Sequence, residues 1–180
     1  IARKRRVLAS LGGESAHHRT VELDALAGSG ERSLAAVCAT LDPALGTAIL
    51  TEGLINYFER DDIVAMWRRF AAQLQRFPHG LYLSDMLLGD DNRGPVTTGF
   101  GWLLSAFVRG RVHLPFATAE QVEDALEEAG LVGVALDPRD FAFELEGLEA
   151  AGAGRVRVLE AAAQASRAET AGGHRSAAPA

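Results

Sequence analysis

The sequence predicts an α/β fold in which helices cover both faces of a mostly parallel sheet. Three short apolar segments, at residues 47–51, 81–84 and 132–136, are predicted strands, and helical patterns separate them. The first segment does not alternate apolar with polar side chains, which is typical of a parallel strand covered on both faces. Because parallel strands need crossover connections, this order of strands and helices favours a doubly wound sheet.

Four helices are predicted, at residues 2–11, 33–41, 61–77 and 119–129. Ser33 can cap the second helix, and Thr118 with Gln121 forms a capping box for the fourth. The third helix carries an apolar stripe that includes Trp67. We therefore expect the side chain of Trp67 in the core.

The chain is expected to form one domain over residues 1–161, followed by a disordered tail at 162–180. With 180 residues, 48% of them apolar, it can bury a substantial core. A β-rich segment at 19–24 is a further predicted strand, and the alternating RVRVL at 155–159 predicts an antiparallel last strand. Residues 88–117 combine Gly, Asn and Pro with an aromatic stretch, and we expect a loop and a helix that cap the sheet edge.

Composition disfavours several classes of function. The net charge of −6, from 24 acidic and 18 basic residues, argues against general binding to nucleic acid. The single cysteine, Cys38, excludes an internal disulfide and lies on an apolar stripe, so we expect a buried, inert thiol. No apolar segment approaches the roughly 20 residues of a membrane span, and no signal-peptide pattern is present. A cytoplasmic protein with no membrane partner is expected, and no spacing of ligands predicts a metal site.

Acidic residues come directly after three predicted strands. Asp24, Glu52 and Asp85 each occupy such a position. In open α/β sheets, ligands bind outside the carboxyl ends of the strands, so the three carboxylates predict a ligand site at one edge. Carboxylates there can accept hydrogen bonds from ribose hydroxyls or a base amino group, or balance a cation. Each acid taken alone can also be a helix cap or a turn former.

The order of these elements resembles a known family. The succession of LDAL at 23–26, a helix, TEGLINYF at 51–58, a helix bearing Trp67 and YLSD at 82–85 is similar to the leucine carboxyl methyltransferase group. That group belongs to the class I S-adenosylmethionine-dependent methyltransferases, and the likeness covers residues 1–136. The resemblance implies a Rossmann-like sheet and S-adenosylmethionine as the cofactor.

The resemblance also implies roles for individual residues. It places Asp24 and Ala25 at the adenine end of the cofactor and Glu52 at its methionine end. A carboxylate near the sulfonium and ammonium groups is electrostatically favourable. Tyr57 matches the family's aromatic after that glutamate, and its alternative role is packing. The family's Gly-rich loop and its ribose-binding acid would precede Ile1, so we expect the C-terminal portion of such a domain, without its N-terminal strands.

Methyl transfer is an in-line displacement for which a protein mainly supplies alignment and exclusion of water. A carboxylate acceptor needs no base, whereas a hydroxyl acceptor usually requires one, and His113 is the candidate. The aromatic residues of the cap, Phe100, Trp102, Phe107 and Phe116, predict a small-molecule acceptor with an apolar portion. Asp85, Trp102 and Phe107 are the predicted substrate-binding residues.

Two functions remain open from the sequence. The first is a methyltransferase that acts on a small molecule or a carboxylate through O-methylation, and that is complete only with residues upstream of Ile1. The second is a non-catalytic α/β binding or interaction module that retains the fold. The joint presence of Asp24 and Glu52 favours the first. An α/β hydrolase is rejected because the sequence has no Gly-x-Ser-x-Gly motif.

Overall fold

The computed structural model describes residues 1–12, 17–92, 112–141 and 155–164. Within these ranges the helices are α1 (Ala2–Ser10), α2 (Leu34–Cys38), α3 (Arg60–Leu74) and α4 (Ala119–Glu128). The strands are β1 (Thr47–Thr51), β2 (Gly80–Leu87), β3 (Leu131–Leu136) and β4 (Val156–Ala163). Short 3₁₀ turns cover Ile55–Tyr57 and Pro138–Phe141.

The four strands form one mixed sheet with the spatial order β1-β2-β4-β3. β1 runs parallel to β2, whereas β4 runs antiparallel to both β2 and β3. β3 therefore has the same direction as β1 and β2, and only the last strand of the chain is reversed. The predicted α/β fold, mostly parallel with an antiparallel last strand, is confirmed.

The helix starts follow the predicted caps. Ser33 Oγ accepts a hydrogen bond from the backbone N of Ala36, and Thr118 Oγ1 accepts one from Gln121. The side chain of Gln121 in turn accepts a bond from the backbone N of Ala117 at 2.8 Å. α2 is shorter than predicted and ends at Cys38, which is buried as expected. Burial raises the pKa of the Cys38 thiol, which keeps it protonated and unreactive.

One hydrophobic core joins α3 and α4 to the same face of the sheet. Trp67 is fully buried at its centre, where its ring stacks on Phe116 with centroids 5.7 Å apart and planes 7° apart. Tyr82 of β2 meets Trp67 edge-on at 6.4 Å. The prediction of Trp67 in the core is confirmed. The prediction of Phe116 in a substrate-side cap is wrong, because its ring completes this stack and is only 1% exposed.

The opposite face of the sheet carries exposed apolar side chains. Four residues in register form one row across this face, one from each strand. They are Leu50 of β1, Leu83 of β2, Glu160 of β4 and Val134 of β3. Leu50 is 72% exposed and Val134 is 43% exposed. Since side chains alternate along strands, these residues lie opposite the face that contacts α3 and α4. No helix of the described ranges buries this open face.

The predicted strand at residues 19–24 is wrong. The segment has no strand assignment, and its end turns back on itself through a backbone bond from Asp24 N to Arg32 O at 2.9 Å. β-rich composition favours a strand only where a neighbouring strand pairs with it. Within the described residues, β1 pairs with β2 alone, so 19–24 does not join the sheet.

Candidate functional site at the carboxyl edge of the sheet

The site begins where β1, β2 and β3 end, at what we call the carboxyl edge. Glu52 follows the last residue of β1 and is exposed there. Gly53 comes next with a backbone φ of 58°, a left-handed conformation that glycine adopts without steric cost. The chain therefore turns sharply after Glu52 and leaves its carboxylate at the open end of the sheet.

Asp85 lies beside this turn. Its Oδ1 accepts a hydrogen bond of 2.7 Å from the backbone N of Gly53. The expectation that Asp85 follows a strand is wrong, because β2 continues to Leu87 and Asp85 is aligned with Val158 of β4. The structure nevertheless brings Asp85 to the loop that carries Glu52, so two of the predicted acids share one edge.

The third predicted acid, Asp24, lies in an exposed turn instead. Its carboxylate accepts a hydrogen bond of 3.0 Å from the backbone N of Leu26. In the part of the chain that the structure describes, no hydrogen bond or ion pair links Asp24 to Glu52. Ala25 is half-buried against the core, and its carbonyl accepts a long bond from Arg69. Asp24 also lines a shallow depression of about 380 Å³, together with Ala27, Ser29, Gly30, Glu31 and Arg32.

Asn56 connects three segments at the carboxyl edge. Its side-chain amide donates to the carbonyls of Leu87 and His113 at 3.0 and 2.9 Å. Its side-chain oxygen accepts from the backbone N of Leu87 at 2.8 Å, and its own carbonyl accepts from the backbone N of His113 at 2.7 Å. Asn56 thus ties the 3₁₀ turn after β1 to the end of β2 and to the segment before α4. Sequence reasoning missed it, although it lies inside TEGLINYF.

His113 lies next to this connection. Its Nδ1 is 2.9 Å from a carboxylate oxygen of Glu59, and its side chain is 24% exposed. Glu59 occupies the N-cap position of α3, but its side chain makes no capping hydrogen bond. Tyr57, the other predicted catalytic residue, is on the 3₁₀ turn with 38% of its surface exposed. His113 therefore has a carboxylate within ion-pair distance, whereas Tyr57 has no such partner among the described side chains.

A series of hydrogen-bonded hydroxyl groups holds the ends of β1 and β2 together. Trp67 Nε1 donates to the hydroxyl of Tyr82 at 3.2 Å, and Thr51 donates to Ser84 at 2.8 Å. The Tyr82 and Thr51 oxygens are 3.0 Å apart, so Tyr82 supplies the remaining proton to Thr51. Burial raises the pKa of Tyr82, so the phenol keeps this proton. These hydrogen bonds between hydroxyl groups fix the ends of the strands that carry Glu52 and Asp85.

An ionic cluster closes the far side of the same edge. Arg157 of β4 makes two bonds, of 2.7 and 2.9 Å, to the carboxylate of Asp91, and it lies 3.0 Å from Asp137. Arg139 also binds Asp137, at 2.6 Å. Bidentate arginine–carboxylate pairs of this kind are well defined in geometry. The cluster holds the segment after β2 against the start of β4, a contact between residues that are distant in sequence.

The cluster predicts a dependence of stability on acid pH. The bond from Arg139 lowers the pKa of Asp137 from its ordinary value of 3.8 to about 2. Since the folded-state pKa is lowered, the contribution is present above about pH 4 and is lost as the pH falls toward 2. Because solvent screens charges near the surface, we expect the ionised Asp137 to contribute about 1–2 kcal/mol to the free energy of unfolding.

Urea unfolding measured between pH 2 and 6 tests this expectation. Asp137→Asn should lower the free energy of unfolding at pH 6 and flatten its fall at acid pH. Asp124→Asn, a change at an exposed acid of α4, is the matched control and should follow the parent chain. A parallel acid response of Asp137→Asn and the parent would contradict the assignment.

Two predicted substrate-binding residues, Trp102 and Phe107, and their neighbour Phe100 lie outside the described residues. Over the ranges that are described, no three His, Cys, Asp or Glu side chains are grouped as metal ligands. In those same ranges, no helix combines the length and the apolar character that crossing a membrane requires.

Comparison with solved structures identifies the fold. The chain is similar to mitomycin 7-O-methyltransferase MmcR, with a TM-score of 0.51 and 20% identity over 88% of this chain. It is similar to the S-adenosylmethionine-dependent methyltransferase SibL, with a TM-score of 0.55 and 18% identity over 89%. It is also similar to NcsB1, an O-methyltransferase from neocarzinostatin biosynthesis, with a TM-score of 0.53 and 15% identity over 90% of this chain. NcsB1 was solved with S-adenosylmethionine and 2-hydroxy-5-methyl naphthoic acid.

The chain therefore has part of the Rossmann-like fold found in these methyltransferases. It spans 38% of MmcR, 39% of SibL and 38% of NcsB1. No family model matches the sequence. No curated protein matches it either.

Proposed function

We propose that this chain is the part of an S-adenosylmethionine-dependent O-methyltransferase that holds the methionine end of the cofactor. The observation that carries the proposal is the joining of Glu52 and Asp85 at the carboxyl edge through Gly53. The fold shared with methyltransferases supports it, since ligands in open α/β sheets bind at this edge.

The charges of the edge suit this ligand. S-adenosylmethionine carries a sulfonium and an ammonium group, and Glu52 offers an exposed carboxylate directly after β1. Asp85 already accepts a bond from Gly53, so its role is to fix the turn and to add negative potential. The cofactor supplies an activated methyl group. The protein's residues contribute orientation and a charge environment that favours the cation.

The proposed acceptor is a small molecule with an apolar portion and a hydroxyl or carboxylate oxygen. A naphthoic acid bound to NcsB1 has both features. A carboxylate is already ionised near neutral pH, but a hydroxyl acceptor must lose a proton, and His113 lies at the same edge to take it. Trp102 and Phe107 are proposed to contact the apolar portion of the acceptor. Asp24 and Ala25 are proposed to contact the adenine end of the cofactor.

We also propose the extent of the methyltransferase domain in this chain and the methyltransferase group to which it belongs. Residues 1–161 are proposed as the C-terminal portion of the methyltransferase domain, with 88–117, apart from the core residue Phe116, as the substrate-side cap. Further residues of the same polypeptide would cover the open face around Leu50 and complete the cofactor site, which agrees with the limited span of the comparisons. TEGLINYF at 51–58 supports the leucine carboxyl methyltransferase group, and a cytoplasmic location is proposed with it.

Calorimetric titration with S-adenosylmethionine tests the proposal, applied to this chain and to a form that includes upstream residues. We expect binding by the longer form, and weaker or undetectable binding by the 180-residue chain. S-adenosylhomocysteine should compete for the same site. Absence of binding by both forms would overturn the proposed cofactor and leave a non-catalytic α/β module as the better account.

A further inference from the structure

We propose that the open face of the sheet binds helix α1 of a second copy of this chain, with Lys4 of one copy against Glu160 of the other. The open face lies opposite α3 and α4, and α1 is an exposed, basic helix. This contact does not depend on the proposed cofactor. In a longer form, the upstream residues proposed above would be an alternative occupant of the open face.

The open face is mostly apolar but carries an acid in its middle row. Leu50, Val132 and Val134 of this face have 72%, 62% and 43% of their surface exposed. Glu160 is also exposed, and it lies in register between Leu83 and Val134. Within the described ranges, no ion pair or side-chain hydrogen bond involves Glu160. A partner that covers this face must therefore supply a cation, because burial of an unpaired carboxylate is costly.

The pattern of α1 is complementary to this surface. Ile1 at its N-cap, Val7 within it and Leu11 at its C-cap are 46%, 50% and 75% exposed. Lys4 is three residues from both Ile1 and Val7 and seven from Leu11, so the four side chains share one side of the helix. One side of α1 thus combines an apolar stripe with a single cation.

α1 also needs a contact that the described residues do not supply. None of its side chains is buried, and isolated helices shorter than about 12 residues are marginal in water. Its charge is +4 from Arg3, Lys4, Arg5 and Arg6, and since the net charge of the whole chain is −6, the remaining residues carry −10. Cations near a helix N-terminus also oppose the helix dipole. An acidic and apolar surface on a second copy offsets both effects.

The tie between α1 and its own chain leaves the side of Lys4 exposed. The guanidinium of Arg5 donates to the carbonyl of Thr20 at 3.0 Å, and adjacent helix residues point about 100° apart. The nine residues of α1 extend about 14 Å, which matches the roughly 14 Å across four strands.

The size of the contact favours a reciprocal dimer. One helix on one face is a small interface, but a two-fold dimer repeats the contact because each copy has one α1 and one open face. Specific interfaces bury about 1,200 Å² or more, so we expect a weak dimer held by both contacts.

Sedimentation velocity of the 180-residue chain at about 1–200 μM tests the contact, and we expect a concentration-dependent dimer. Lys4→Glu and Glu160→Lys each bring like charges together and should weaken the dimer about tenfold or more. The double variant Lys4→Glu/Glu160→Lys should restore it. Arg6→Glu makes the same change of charge on another side of α1, so this matched control should dimerise like the parent.

Three results would overturn the proposed contact. The first is a parent chain that stays monomeric throughout this range. The second is equal weakening by Lys4→Glu and Arg6→Glu, because the effect would then come from net charge. The third is a double variant that dimerises no better than the single ones, since Lys4 and Glu160 would then not meet. Circular dichroism checks that each variant is folded, and failure of cofactor binding would leave these results unaffected.

Discussion

Replacement of Trp67 by alanine is expected to lower the free energy of unfolding by about 3–5 kcal/mol. The indole is fully buried, stacks on Phe116 and donates to Tyr82. Its removal would leave a large cavity between α3 and β2, and the Tyr82 hydroxyl would lose one of its two hydrogen-bond partners. Chemical unfolding followed by far-ultraviolet circular dichroism measures the loss.

Trp67→Phe separates packing from hydrogen bonding. It keeps an aromatic ring against Phe116 but removes the N–H group, so we expect a smaller loss of about 1–3 kcal/mol. Arg68→Ala, at the exposed neighbouring position, is the surface control and should change stability by less than about 1 kcal/mol. A loss for Trp67→Ala no larger than for Arg68→Ala would contradict the assignment of Trp67 to the core.

Replacement of Glu52 by glutamine is expected to weaken S-adenosylmethionine binding by about 10- to 100-fold in the form that binds it. A unit charge at about 4 Å contributes about 1 kcal/mol in water and about 4 kcal/mol near a protein surface. Glutamine keeps the shape of the side chain and removes only the charge, so the loss reports electrostatics. Calorimetry on the variant and its parent measures the ratio.

A matched variant makes the Glu52 result specific. Glu127→Gln removes the same charge from an exposed position on α4 and should leave affinity within about twofold, because bulk screening weakens distant exposed charges. Equal losses for the two variants would indicate a general charge effect. Unchanged affinity in Glu52→Gln would remove Glu52 from the cofactor site.

The sequence predicted the local parts of the fold well because each depends on neighbouring residues. The cap at Ser33, the cap at Thr118 and the stripe that contains Trp67 all appear in the structure. The return bond of the predicted capping box joins Gln121 to the backbone N of Ala117, one residue before the N-cap. The strand predicted at 19–24 was wrong because β composition requires a partner strand, which is a property of the whole chain. Phe116 was assigned to a cap for the same reason, since its stacking partner is distant in sequence.

The candidate site was only partly predictable. Glu52 and Asp85 could both be placed at the carboxyl edge because each follows a predicted strand, although β2 continues past Asp85 to Leu87. The hydrogen bonds of Asn56 could not be predicted, because they join segments that only the fold brings together. The bond between Arg157 and Asp91 is a second case of a contact without a local sequence signal.

The most direct test of the central claim is a crystal structure of the upstream-extended form with S-adenosylhomocysteine. We expect the ligand at the carboxyl edge, with its amino-acid end beside Glu52 and the turn at Gly53. A ligand bound elsewhere, or a carboxyl edge filled by the protein's own upstream residues, would contradict it.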